Sequence, residues 1–190
     1  QETIQMVTEQ NERLSKLVRT LLDMSELQTV ARNDKIELCG LIEEVLADLE
    51  PLAQEKGVTL IQKSQSTVDE KEENAGEGLM LTGSDILIYR MLYNLIENAV
   101  NYGINGGCVW VNLIKNQENT DIIIKDNGIG IEKEHLDKIW NRFYRVDKSR
   151  SAGEGFGLGL SMVRFIVDIH GGSIAVKSKP GYGTTFTVSL

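Results

Sequence analysis

Three asparagines fall within eight residues, in the run Asn94-Leu95-Ile96-Glu97-Asn98-Ala99-Val100-Asn101-Tyr102. Their i, i+4, i+7 spacing sets three amides on one face of a helix, with Leu92, Leu95, Ile96 and Ala99 opposite. Asparagine is a poor helix former, so the row is a local cost of the kind that often marks function. Amide oxygens suit a hard cation such as magnesium; the same residues also make a solvated polar face. A second group, Asp126-Asn127-Gly128-Ile129-Gly130-Ile131, follows a strand-like run. It reads either as a tight turn or as a carboxylate at a pocket wall, accepting from an exocyclic amine such as that of adenine. In the second reading Gly128 and Gly130 let the backbone approach the ring. A third group, Gly153-Glu154-Gly155-Phe156-Gly157-Leu158-Gly159-Leu160, precedes an apolar-periodic helix. Its glycines either form a hinge or expose amides that cradle phosphate at a helix N-terminus. No Gly-Lys-Ser/Thr follows, so it is not a Walker loop. In the fourth, Ile139-Trp140-Asn141-Arg142-Phe143-Tyr144-Arg145-Val146-Asp147, aromatics alternate with cations. That pattern fits a lid whose aromatics dock on the core and whose arginines reach a phosphate.

These groups need elements to hold them. A helix through about Tyr102, capped by Ser84 or Asp85, carries the asparagines, and strands over Cys108–Ile114 and Asp121–Lys125 lead to Asp126. A helix over Leu158–His170 follows the glycine run, and strands over Ser173–Lys177 and Thr184–Leu190 close the chain. Upstream, a helix from Leu41 to Lys56 contains Pro51, which predicts a kink or break, and Gly57 fits its end. Short strands are expected at Val58–Ile61 and Leu79–Leu81, with residues 62–78 as a solvated loop. Residues 1–28 pattern as one amphipathic helix, with Ile4, Val7, Leu14, Val18 and Leu21 in a stripe that Leu17, Leu22, Met24 and Leu27 broaden. Such a helix needs a partner, either its own domain or a bundle. The fold class expected is α+β, a two-layer α/β sandwich: a mixed sheet of about five strands on about three helices, preceded by the long helix.

Composition narrows the functions. The net charge of -8 and the lack of a basic stripe argue against nucleic acid. Cys39 and Cys108 form no CxxC, so neither zinc nor a disulfide framework is implied. There is no apolar run of membrane-spanning length and no signal peptide. The chain begins with Gln, which reads as a piece of something larger.

In order and spacing, Asn94-x-x-x-Asn98, Asp126-x-Gly128-x-Gly130, Phe143-Tyr144-Arg145, Gly155-x-Gly157-Leu158-Gly159-Leu160 and Gly181-x-Gly183-Thr184-Thr185-Phe186 resemble the N, G1, F, G2 and closing boxes of sensor histidine kinase catalytic domains. The likeness covers residues 36–190. Residues 1–28 resemble the second helix of that family's dimerisation and phosphoacceptor hairpin. The division implied is residues 1–30 for that helix, with the hairpin's first helix absent, 31–37 for a linker, and 38–190 for the catalytic ATP-binding domain.

The resemblance implies ATP and magnesium as ligands, with Asn98 holding the metal and Asp126 reading adenine. Asn94 and Arg145 are the implied catalytic residues. Asn101, Tyr102, Gly128, Gly130, Ile131, Phe143, Gly155, Gly157, Leu158, Gly159 and Leu160 line the nucleotide, and Thr185 buttresses the adenine end. Asn94 stands where related hydrolases such as DNA gyrase carry a catalytic glutamate, and an amide cannot act as general base for water. The γ-phosphate is then kept for a protein nucleophile. Two departures stand out: Asn101 replaces a phosphate-contacting lysine, and Glu154 and Phe156 replace small residues. Neither His135 nor His170 lies in a phosphoacceptor context, so both are expected to be structural and autophosphorylation is not expected in isolation. The implied partners are a response regulator and, in the full-length kinase, a second copy. The implied location is a cytoplasmic domain, membrane-anchored only through upstream segments. The alternatives are a serine-kinase anti-sigma factor or a non-catalytic nucleotide switch.

Overall fold

The structure is a computed structural model that describes residues 30–63, 66–67, 79–117, 119–146 and 156–190. The helix expected over residues 1–28 and the site candidate Gly155 lie outside the described residues.

The first strand, β1 (Asp34–Glu37), is followed by α1 (Leu38–Lys56). The helix starts where the Glu37 carboxylate accepts from the N–H groups of Cys39 (3.1 Å) and Gly40 (2.6 Å). It ends at Gly57, whose φ of 67° lets its N–H reach the carbonyls of Ala53 and Gln54. Leu38, Ile42, Val45, Leu49 and Ala53 make its buried stripe. Pro51 does not interrupt α1, contrary to the expectation. Pro51 and Ala47 both lie on the exposed face, so the carbonyl deprived of its donor is open to water.

Next come β2 (Thr59–Gln62), β3 (Ser66–Thr67), β4 (Met80–Gly83), α2 (Asp85–Asn101), β5 (Cys108–Lys115) and β6 (Thr120–Asp126). After a short 3₁₀ turn at Lys133–His135, α3 (Gly159–Ile169), β7 (Ser173–Lys179) and β8 (Gly183–Ser189) complete the fold. The main sheet runs β2-β5-β6-β8-β7, and β3 also pairs with β5. The β2 and β3 pairings are parallel and the others antiparallel, so the sheet is mixed as expected. The 62–78 stretch is not all loop, since Ser66 and Thr67 pair with Ile114 and Lys115. Residues 34–37 are a strand, antiparallel to β4 in a separate two-stranded sheet.

One face of the main sheet presents Val109, Val111, Leu113, Ile122, Ile124, Phe186 and Val188 to the helices. α2 packs between α1 and α3 and is the most deeply set of the three, with Leu87, Ile88, Met91, Leu92, Leu95 and Ile96 all fully buried. The result is the two-layer sandwich expected. It pins α2, whose half-buried polar edge carries the asparagines, against β6, whose end carries Asp126. No described helix is long and apolar enough to cross a membrane.

Candidate functional site

The polar edge of α2 is bracketed at both ends. At one end, the Asn94 side-chain N–H donates to the Arg90 carbonyl at 2.7 Å, which fixes the amide's orientation. Its oxygen then faces Gly159, the first residue of α3. A Cβ on Gly159 would sit 2.7 Å from Asn94 Oδ1 and 3.9 Å from Asn98 Nδ2. Glycine there lets α3 begin directly over the asparagine face without displacing the Asn94 amide. At the other end, the Tyr102 carbonyl accepts from Ile129 N–H at 3.1 Å, which seats the 126–131 loop on the helix terminus. Asn94 and Tyr102 are eight positions apart, about 12 Å along a helix. Between them, Asn98 is half-buried, and the Asn101 side-chain oxygen is buried without a hydrogen-bond partner. Tyr102 itself is 49% exposed.

Asp126 ends β6 and is only 7% exposed. Burial pushes its carboxyl above the ordinary aspartate range, against hydrogen bonds that pull the other way. Those come from Gly128 N–H (2.8 Å) and Thr184 N–H (3.1 Å), both onto Oδ1. Asn127 ties the turn down by accepting from Cys108 N–H at 2.7 Å.

The two glycines after Asp126 have a definite packing role. A Cβ on Gly128 would lie 2.3 Å from the Tyr102 carbonyl oxygen, and one on Gly130 would lie 2.2 Å from that of Lys179. Gly130 also has φ +71°. The space a side chain would take is filled by protein backbone at both positions. Ile131 N–H donates to Ser178 Oγ at 2.8 Å, and the same hydroxyl contacts Thr184 Oγ1 at 2.9 Å.

Thr185 does not take the place expected for it. In β8 the burial alternates, with Thr184, Phe186 and Val188 inward. Thr185 pairs with Lys125 and Lys177 on the opposite face from Asp126. The pleat has a period of two, so an error of one residue exchanges the faces. Thr184 is the threonine beside Asp126, and the inward Phe186 was the signal in the sequence that could have found it. Ser178 and Asn127 were also missed, because their roles depend on pairing across strands.

The aromatic segment packs on the glycine run. Phe143 N–H donates to the Gly157 carbonyl at 2.8 Å, and Gly157 (φ +70°) leaves no room for a Cβ beside Phe143 and Tyr144. Trp140 meets Phe186 edge-on with ring centres 6.0 Å apart, and the Arg164 guanidinium lies over its ring. The Tyr144 hydroxyl lies 2.6 Å from His135 Nδ1. Phe143, in contrast, is 52% exposed and has φ 65°. Arg145 is half-buried just beyond Tyr144. Leu158 is buried, and Leu160 packs on the edge of the core. His170 is structural: Nδ1 faces the Ile166 carbonyl at 2.8 Å, while Nε2 accepts from Ser84 N–H at 3.1 Å. It links the end of α3 to the start of α2.

Residues 83–190, more than half of the chain, match the family described as histidine kinase-, DNA gyrase B-, and HSP90-like ATPase. The chain belongs to this ATPase family. Among its curated relatives is a sensor-like histidine kinase, SenX3, from Mycolicibacterium smegmatis, 33% identical over 189 residues; the match takes in 97% of this chain and 46% of SenX3. The chain thus spans about half the length of that relative. Among solved structures, the catalytic domain of histidine kinase ThkA superposes with TM-score 0.68 at 22% identity, over 84% of this chain and 95% of that one. Full-length ShkA in complex with AMPPNP superposes with TM-score 0.75 at 21% identity, over 96% of this chain and 36% of that one. At these identities the superpositions speak for the fold alone.

Proposed function

We propose that this chain is the ATP-binding catalytic module of a sensor histidine kinase, using Asn98 for magnesium and Asp126 for adenine. One observation carries the reading. α2 offers a half-buried amide row capped at one end by the N-terminus of α3 and at the other by a buried carboxylate loop. The amide row fits a hard cation in its donor chemistry, and the N-terminal amides of α3 fit an anion. Magnesium, when bound, would neutralise charge on the phosphates. The chain's own groups do the rest. The second oxygen of Asp126 is outside both backbone bonds and suits an exocyclic amine. Asn94, oriented by Arg90, supplies an amide and no base, so an attacking water is not activated. Arg145, Gly155, Gly157, Leu158 and Leu160 belong to the segment that would close over the phosphates.

The γ-phosphate would go to a histidine that the chain does not itself supply, since His135 and His170 are both held by structural hydrogen bonds. Residues 1–30 would be the second helix of a dimerisation hairpin and 38–190 the catalytic domain, with a response regulator downstream and a membrane anchor upstream. The kinase names of the relatives support this reading over an anti-sigma factor or a nucleotide switch. Incubation with labelled ATP tests it: the chain should retain bound nucleotide without gaining acid-labile phosphate, and stoichiometric phosphohistidine on the isolated chain would overturn the assignment.

A further inference from the structure

The turn after the 126–131 loop brings together Glu132, Glu134 and His135. Each offers one ligand atom, and the three atoms lie within 4.8 Å of one another. Among the described residues, no other group of three or more His, Cys, Asp or Glu side chains lies this close. The backbone explains the grouping. His135 N–H donates to the Glu132 carbonyl at 3.0 Å, which closes the 3₁₀ turn over Lys133–His135. In that geometry side chains three positions apart eclipse, so Glu132 and His135 share a side. Glu134 comes in from the next position: its Oε1 lies 3.5 Å from His135 Nε2, longer than a hydrogen bond. The turn is anchored beyond His135 as well, where the N–H groups of Lys138 (2.9 Å) and Ile139 (3.0 Å) donate to the His135 carbonyl.

The imidazole is oriented from its other side. His135 Nδ1 lies 2.6 Å from the Tyr144 hydroxyl. A phenol oxygen can accept from Nδ1–H, and in that tautomer Nε2 keeps its lone pair on the side of the carboxylates. A histidine whose far nitrogen donates to a neighbouring oxygen is ready to ligate a metal. The His135 side chain is 18% exposed and that of Glu134 69% exposed, so the ring is held while the carboxylate can swing from solvent onto an ion. Tetrahedral ligands about 2.1 Å from an ion stand about 3.4 Å apart, so the closure needed is small and falls on the exposed glutamates. Two carboxylates balance a divalent charge, and the exposed Lys133 opposes it only across solvent. One imidazole nitrogen with two carboxylate oxygens suits a borderline cation such as zinc, not magnesium, which prefers oxygen alone.

We propose that Glu132, Glu134 and His135 bind a divalent cation of the zinc class, with water completing its shell, and that the ion fastens the Tyr144 segment to this turn. A cation on Nε2 withdraws charge from the ring and makes Nδ1–H a stronger donor to Tyr144. Tyr144 follows Phe143, whose N–H holds the Gly157 carbonyl. The site therefore gives a metal a grip on the aromatic segment while using none of the asparagines, and it stands whether or not the chain binds ATP.

The test is zinc titration, without nucleotide, of the tag-free 190-residue chain with Cys39 and Cys108 replaced by Ala, read by competition with a fluorescent zinc chelator. We expect one site per chain with a dissociation constant below about 100 μM, unaffected by about a hundredfold excess of magnesium. Glu132→Gln, Glu134→Gln and His135→Gln should each weaken binding at least about tenfold. Asp137→Asn removes the same charge from an exposed neighbour and should stay within about twofold. Tyr144→Phe keeps the three ligands but not the orienting oxygen, and should weaken zinc about tenfold or more. Zinc should also slow hydrogen exchange at the amides of residues 139–144 at least about threefold, and should not do so in Tyr144→Phe. Circular dichroism of the zinc-free variants verifies that each is folded. Parental affinity in any of the three ligand variants would overturn the proposal, and so would a loss in Asp137→Asn as large as theirs. The absence of saturable binding, or binding that leaves exchange at 139–144 unchanged, would overturn it too. ATP affinity enters none of these readouts, so failure of the kinase reading would leave them standing.

Discussion

Replacing Asp126 with Asn separates recognition from stability. The substitution keeps shape and keeps an oxygen able to accept from Gly128 and Thr184 N–H. It puts an N–H₂ where the second carboxylate oxygen was, so a donor would face the donor of adenine. A hydrogen bond to a charged group contributes about 1.5–3 kcal/mol, so Asp126→Asn should weaken ATP binding about 10- to 150-fold. Stability should move the other way. The carboxyl is raised by burial, so the fold prefers it protonated. The stability it contributes is therefore fully present below the ordinary aspartate range and is lost as pH rises through the raised value. Once pH exceeds the raised value, the parent carries a buried charge that the variant lacks. The variant should then melt at or above the parent temperature, with the difference closing on acidification. Calorimetric titration with ATP and thermal melts from pH 4 to pH 8 would read both effects. Binding within twofold of the parent would refute Asp126 as the adenine residue. A large loss of stability at neutral pH would show the ionised carboxylate to be a structural anchor instead.

The remaining predictions concern the groups around it. Gly128→Ala and Gly130→Ala should each cost on the order of 3 kcal/mol or more, seen as a large drop in melting temperature, because a methyl would collide with a carbonyl oxygen. Gly106→Ala, with positive φ but open space around it, should cost only about 1 kcal/mol. Thr184→Val should destabilise by about 1 kcal/mol through the lost Ser178 contact and weaken ATP binding, while Thr185→Val should stay within about 0.5 kcal/mol of the parent. His170→Ala should cost about 1–3 kcal/mol, since Ser84 N–H loses its acceptor at a residue 1% exposed.

The asparagine row was legible because helical spacing alone decides which residues share a face, and the hydrophobic positions of α2 fix that face without reference to the rest of the chain. Asp126 was legible as the end of an alternating strand. Thr184 and Thr185 could not be told apart by the box they share; only the strand parity set by Phe186 separates them. Pro51 misled because its effect depends on which side of the helix it occupies, and here that side is wet. Ser178, Asn127 and the Tyr144–His135 pair were invisible for another reason: each acts across elements that the sequence does not align. The glycines illustrate a further limit. Their positions were evident, but the reason at Gly128 and Gly130 is backbone packed against backbone, which only tertiary structure reveals.

The central claim is that the amide row of α2 holds a magnesium nucleotide. Titration of ATP into the 190-residue chain, with magnesium and with chelator, and again in Asn98→Ala, tests it directly. The account predicts saturable binding that weakens at least about tenfold without magnesium and shows no magnesium dependence in Asn98→Ala. Binding equally tight with chelator, or an Asn98→Ala variant that responds to magnesium as the parent does, would contradict it.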